Sequence, residues 1–147
     1  QGVLATLPWV AMVDKFQHWL YENSDHTHQE RHNKWASISM RYGTGLVDWT
    51  SYEKYQKTAW QRQLHIYEVP FYYIEYGMAQ LGAIAIWRNY KQNPEKALDD
   101  YDRALKLGYT KTIGEIYETA GIKFDFSAAY VKDLANFVKC ELELLDN

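Results

Sequence analysis

His65, Tyr72, Tyr73 and Tyr76 fall within one stretch that runs from His65 to Ala83. Tyr72 and Tyr76 are four apart, so on a helix they share a face. A helix is expected from about Phe71, after Pro70, with Gly77 and Gly82 behind the tyrosines. His65 lies just upstream, where a short irregular segment can fold its imidazole back toward that face. One imidazole and two phenol hydroxyls then offer donors to a bound group. Such donors suit a developing oxyanion. The stretch holds no nucleophile and no metal-ligand set of its own.

Three other constellations bear on chemistry. His28 and His32 are four apart, the spacing of a helical metal pair, with His26 just before them. Their order, with Glu30 between them, puts the acid in the wrong place for H-E-x-x-H, and a solvated helix end is the better reading. Ala97, Leu98, Tyr101, Ala104, Leu105 and Leu107 resemble one helix of a tetratricopeptide repeat. No second copy lies about 34 residues away in either direction, so a single amphipathic helix is expected. Cys140 is followed by Glu141 and Glu143, with no histidine nearby in sequence. A reactive thiol wants an electropositive setting, so Cys140 is read as a packing residue.

The elements that must position these side chains read as helices almost throughout. Val10, Val13, Phe16, Trp19 and Leu20 give helical spacing over 7–22, with Pro8 near the start. Thr27 followed by Glu30 is a capping box that opens a helix to about Tyr42. Gly43 to Gly45 ends it, and a loop with a short helix at 51–58 follows. The central helix is expected over 71–91, with Ile74, Met78, Leu81 and Ala85 on its packing side. Asn93 and Pro94 stop it and open the next helix, which ends near Gly108. A short helix covers 112–119, ended by Gly121, and Asp125 or Ser127 caps the last one, which ends near Leu145. No segment alternates with period two for long, so the fold class is all-α, with essentially no sheet.

Composition bounds the function classes. The 147 residues suffice for one domain with a real core, read as a single helical unit over 1–147. A net charge of -3 supports no nucleic-acid footprint. Thirteen Tyr and six Trp supply much of the burial. The single Cys140 excludes an internal disulfide and fits a reducing, cytoplasmic setting. The chain starts at Gln1 without a basic-then-apolar signal segment, and a fragment or a processed chain is expected. The longest nearly apolar run, Phe71 to Ile86, is interrupted by Glu75 and Gln80 and falls short of the roughly 20 residues that span a bilayer. No membrane partner is expected.

The segment His65-Ile-Tyr-Glu-Val-Pro-Phe-Tyr-Tyr-Ile-Glu-Tyr-Gly77 resembles the C-terminal part of the M3 family of zinc metallopeptidases, in the oligoendopeptidase F branch. The likeness extends upstream through Leu7-Pro-Trp9 and Phe16-Gln-His-Trp19. Downstream it takes in Tyr101 to Gly108 and Ile113 to Ile122. It implies an all-helical, deep-channelled peptidase that cleaves short peptides internally. It also implies zinc and a general base on an H-E-x-x-H helix, with a later His and Tyr residues for substrate and oxyanion. By motif position His65 and Tyr72 carry over as those catalytic donors, and Tyr76 as a substrate-binding neighbour; Tyr73 is expected to face elsewhere. No H-E-x-x-H occurs in the chain, so it is expected to bind no zinc and to be inactive alone. The expected partners are a peptide substrate, the missing N-terminal part of the enzyme, and other copies of the fragment through exposed apolar faces. The alternative, carried by the helix from Pro94 to Leu107, is a non-catalytic helical interaction module.

Overall fold

Thr27 shows how local chemistry sets the helix boundaries. Its hydroxyl accepts from the Glu30 backbone N–H at 3.2 Å, and the Glu30 carboxylate accepts from the Thr27 N–H at 2.8 Å. Two orphan donors are thereby satisfied. The computed structural model describes residues 2–145, and eight α-helices form among the described residues, with no strand. They are α1 (Gly2–Glu22), α2 (His28–Tyr42), α3 (Glu53–Thr58), α4 (His65–Glu68), α5 (Ile74–Gln92), α6 (Pro94–Leu107), α7 (Ile113–Thr119) and α8 (Ala128–Glu143). A 3-10 turn, Ala59–Arg62, links α3 toward α4. Among the described residues no helix is long and apolar enough to cross a membrane. The chain divides into two compact units, Gln1–Gly77 and Met78–Asn147.

The first unit is built on aromatic packing. Phe16, Trp35 and Trp60 are buried together with Met12, Val13, Ile38 and Ile66. The Phe16 ring lies 5.2 Å from Trp35 and 5.4 Å from Trp60, and Trp9 meets Trp35 edge-on at 5.6 Å. Full burial of side chains this large is worth about 1.5–3 kcal/mol each, so this cluster is the main reason α1 and α2 stay together. Helix α1 starts at Gly2 rather than at Leu7. Pro8 therefore lies inside the helix and has no N–H to give to the Leu4 carbonyl. Upstream of it the helix is continued by Val3 to Thr6, with the Thr6 hydroxyl donating to the Gly2 carbonyl at 3.0 Å.

The central helix begins later than its pattern predicts. Phe71 has φ +60°, in the left-handed region, so no helix can run through it. The preceding Pro70 biases Val69 toward extended backbone, and Val69 has φ -138°. Helix α5 opens only at Ile74, leaving Tyr72 and Tyr73 in the turn before it. Gly77 admits a close neighbour: a Cβ there would stand 3.0 Å from Val10 of α1.

The second unit starts inside α5. Gly82 lies under the Tyr117 hydroxyl, 3.0 Å from where a Cβ would sit, and that hydroxyl donates to the Met78 carbonyl at 3.2 Å. On α5, Ile84 and Ala85 are buried, while Met78 and Leu81 are half-buried. Helix α8 is tied to α5 by ion pairs of Arg88 with Asp133 and of Lys91 with Glu141, the latter at 2.9 Å, and by the Trp87–Phe137 ring contact. Asn93 caps α6, accepting from the Lys96 N–H at 3.1 Å with Pro94 at the first helical position. Asp100 is buried and pairs with Lys96 at 2.5 Å and with Arg103. Gly121, with φ +72°, ends the α7 segment against Asp100. Ser127, not Asp125, caps α8; the Asp125 carboxylate accepts from the Ser127 N–H at 2.8 Å. Cys140 is exposed on α8, so the packing role expected for it does not hold.

Candidate active site: a histidine–tyrosine cluster

His65 is the first residue of the single turn α4, so the segment carrying it is helical, where an irregular one was expected. The chain reverses through Pro70 and Phe71 and returns Tyr72, Tyr73 and Tyr76 to its imidazole. The Tyr72 ring stacks on His65, with centroids 6.3 Å apart and planes 19° apart. Tyr76 meets His65 edge-on at 5.7 Å, and its hydroxyl stands 3.2 Å from His65 Nε2. Tyr72 and Tyr76 are themselves edge to face at 5.8 Å. The three residues are thus brought together. They do not share one helix face, because Tyr72 precedes α5.

Tyr73, expected to face elsewhere, belongs to the same group. Its ring is 5.0 Å from His65 and 5.1 Å from Tyr76, both edge to face. Its hydroxyl accepts from the Trp9 indole N–H at 3.1 Å. The expectation failed because it counted Tyr73 on a helix that starts one residue later. Two further residues hold the site, and their spacing gave no sign of it. Gln63 reaches His65 Nδ1 at 2.8 Å and receives the Trp9 N–H at 3.3 Å. Gln17, fully buried on α1, accepts from the Phe71 N–H at 3.3 Å and so fixes the turn.

Exposure separates these roles. Tyr72 is 49% and Tyr76 41% exposed, whereas His65 and Tyr73 are half-buried. The Tyr72 hydroxyl has no hydrogen-bond partner among the described residues and is free to meet a ligand. The cluster therefore presents phenol hydroxyls outward, backed by an imidazole whose two nitrogens are both engaged. Such a surface can donate hydrogen bonds to a bound acceptor.

A metal does not fit here. No group of three His, Cys, Asp or Glu able to hold an ion occurs among the described residues. His26 has its Nδ1 2.5 Å from the Asn23 carbonyl and its Nε2 accepting from Arg31 at 2.9 Å. His32 packs its ring toward Trp60 at 6.2 Å. The zinc that the M3 resemblance implies finds no ligand set in these residues.

Comparison gives this multi-helix fold a family. The model of peptidase family M3 matches residues 2–136, and the chain belongs to that family. An X-ray structure of a protein assigned as oligoendopeptidase F superposes with TM-score 0.86 at 32% identity, over 97% of this chain and 25% of that one. PZ peptidase A, solved with an inhibitor, superposes with TM-score 0.86 at 31% identity over the same shares. The chain thus spans about a quarter of the length of these relatives. A search of curated proteins finds no match.

Proposed function

We propose that the chain is the C-terminal portion of a zinc-dependent oligoendopeptidase that hydrolyses internal bonds of short peptides, and that residues 1–147 act as one part of its catalytic domain. Family membership and the peptidase neighbours support the enzyme class over the helical interaction module. The observation that carries the site is the exposed Tyr72 hydroxyl, unpartnered among the described residues and stacked on His65. On this reading zinc and the general base come from the missing N-terminal part of the enzyme. The residues of this chain bind the substrate and meet the charge that develops on its carbonyl oxygen. Tyr72 donates its O–H directly. Tyr76 adds a second hydroxyl, and His65, with both ring nitrogens engaged, holds both rings in place. One such donor is typically worth ~3 kcal/mol in the transition state. A single, exposed Cys140 accords with a cytoplasmic location, where thiols stay reduced.

The test is Tyr72→Phe in the peptidase translated from the full reading frame. It deletes one donor and keeps the ring. The expected result is a fall in kcat of about 10²-fold or more, with KM and zinc content little changed, because the lost contact is made in the transition state. An unchanged kcat/KM would make Tyr72 a packing residue and sink the reading.

A further inference from the structure

We propose that Gln63 is a positioning residue that fixes His65 as its Nε2–H tautomer and thereby turns the Tyr76 hydroxyl proton away from the imidazole, toward whatever the site binds. The last clause rests on the function proposed above; the tautomer does not.

The polarity of this relay is set at its far end by Trp9. An indole N–H can only donate. It lies 3.1 Å from the Tyr73 oxygen and 3.3 Å from Gln63 Oε1, so both oxygens accept. That decides which way the Gln63 amide faces. With the amide reversed, its NH₂ would confront the indole N–H, donor against donor. The Gln63 NH₂ therefore points at His65 Nδ1, 2.8 Å away. An amide NH₂ has no lone pair to offer, so Nδ1 must accept. A neutral imidazole with an accepting Nδ1 carries its proton on Nε2. Nε2 is 3.2 Å from the Tyr76 oxygen and donates to it. Tyr76 then uses an oxygen lone pair within the protein and keeps its own O–H for another acceptor. Its 41% exposure leaves room for one.

The opposite tautomer would undo this. With the proton on Nδ1, the bare Nε2 would accept the Tyr76 O–H, and the exposed hydroxyl would lose its donor. Trp9, Gln63, His65 and Tyr76 thus form a directed chain of hydrogen bonds. Trp9 is 54 residues from Gln63, so helix α1 sets the proton position of a histidine far along the sequence. A tautomer controlled by the partner of the other ring nitrogen is a general property of imidazole.

The experiment is ¹⁵N NMR of the histidine side chains in the 147-residue chain at a pH where His65 is neutral, with His65 assigned by loss of its signals in His65→Asn. The expected wild-type pattern is a pyridine-like Nδ1 and a pyrrole-like Nε2. Gln63→Leu removes the NH₂, and Trp9→Phe frees the amide to reverse. Each is expected to give a mixture in which the Nδ1–H form appears. Gln63→Glu replaces the donor by an acceptor and is expected to put a proton on Nδ1. Backbone spectra of each variant establish that it is folded, and the wild-type pattern alone decides the matter if a variant is not. A wild-type His65 protonated on Nδ1 overturns the proposal, as does a Gln63→Leu spectrum identical to wild type. If instead the tautomer behaves as expected but Tyr72→Phe leaves the full peptidase unaffected, the proposed function fails and the assignment of Gln63 stands.

Discussion

The side-chain oxygen of Gln17 accepts the backbone N–H of Phe71 at 3.3 Å, joining the interior of α1 to the left-handed turn that presents Tyr72. The other end of the same amide is poorly served. Gln17 is fully buried, and its Nε2 has no hydrogen-bond partner among the described residues. A buried donor left unmade costs about 1–3 kcal/mol, against about 0.5–1.5 kcal/mol gained from one neutral hydrogen bond.

The two terms predict opposite signs for stability and function in Gln17→Leu. Removing the orphan NH₂ outweighs losing the single bond to Phe71. Urea unfolding is expected to show equal or greater stability than wild type. The turn, however, loses its anchor, so kcat of the full peptidase is expected to fall. Destabilisation of more than about 2 kcal/mol would show that the Gln17–Phe71 bond outweighs the orphan donor.

Gly121→Ala is expected to be costly. Its φ of +72° disfavours any side chain, and a Cβ would stand 2.7 Å from Asp100 Oδ2. Asp100 cannot easily yield, since Lys96 and Arg103 hold both its oxygens. The strained backbone costs about 1–2 kcal/mol, and displacing a buried carboxylate from its partners adds to it. Thermal and urea unfolding should show a loss of at least 2 kcal/mol. Gly45→Ala is the control: it shares a positive φ of 71° with nothing near its Cβ, and should lose only the backbone part.

Acid should loosen the helix starts. The Thr27 N–H holds the Glu30 carboxyl below its ordinary value of 4.5, and the Thr112 N–H does the same for Glu115. The Ser127 N–H lowers Asp125, ordinarily 3.8. A carboxyl depressed in the folded state binds its proton more readily when unfolded. The resulting stability is complete above the ordinary carboxylate range and is lost as pH falls through the depressed values. Urea midpoints should therefore stay level from pH 7 to about 5 and decline below. Glu30→Gln should flatten part of that decline; an unaltered slope would mean the box contributes nothing.

The isolated chain is expected to cleave no peptide and to hold no stoichiometric zinc. Metal analysis after dialysis, with a quenched-fluorescent peptide assay in added zinc, checks both. Tight one-to-one zinc lost on His28→Ala would overturn this.

Self-association is expected through the first or central helix, where Tyr21 of α1 and Trp87 and Tyr90 of α5 are exposed. Further exposed apolar groups, Met40, Leu46, Val47 and Trp49, gather around a cavity of about 800 Å³ between α2 and α3. Light scattering should detect association that weakens in Leu46→Ser/Val47→Ser. A monomer at every concentration would remove the expectation.

What was legible in the sequence followed local rules. Thr27–Glu30 and Asn93–Pro94 encode their caps within four residues, and the structure uses them. That His65, Tyr72 and Tyr76 come together was legible because they lie in one short stretch. Its geometry was not. Nothing in the spacing tells that Phe71 takes a left-handed φ, since the apolar pattern continues through it. That single dihedral moves the helix start to Ile74 and turns Tyr73 toward His65. Gln63, Gln17 and Trp9 were silent for a different reason: their partners lie 54 or more residues away, except for His65 two residues on.

The aromatic core of the first unit also makes the protein its own spectroscopic gauge. Trp9, Trp19, Trp35, Trp49 and Trp60 all lie before residue 77, and Trp87 alone lies beyond it. Intrinsic emission is therefore a nearly selective signal for one half of the molecule. In one denaturation series fluorescence would report mainly the first unit and far-ultraviolet dichroism the helices of both, so a gap between the curves would measure how independently the units melt.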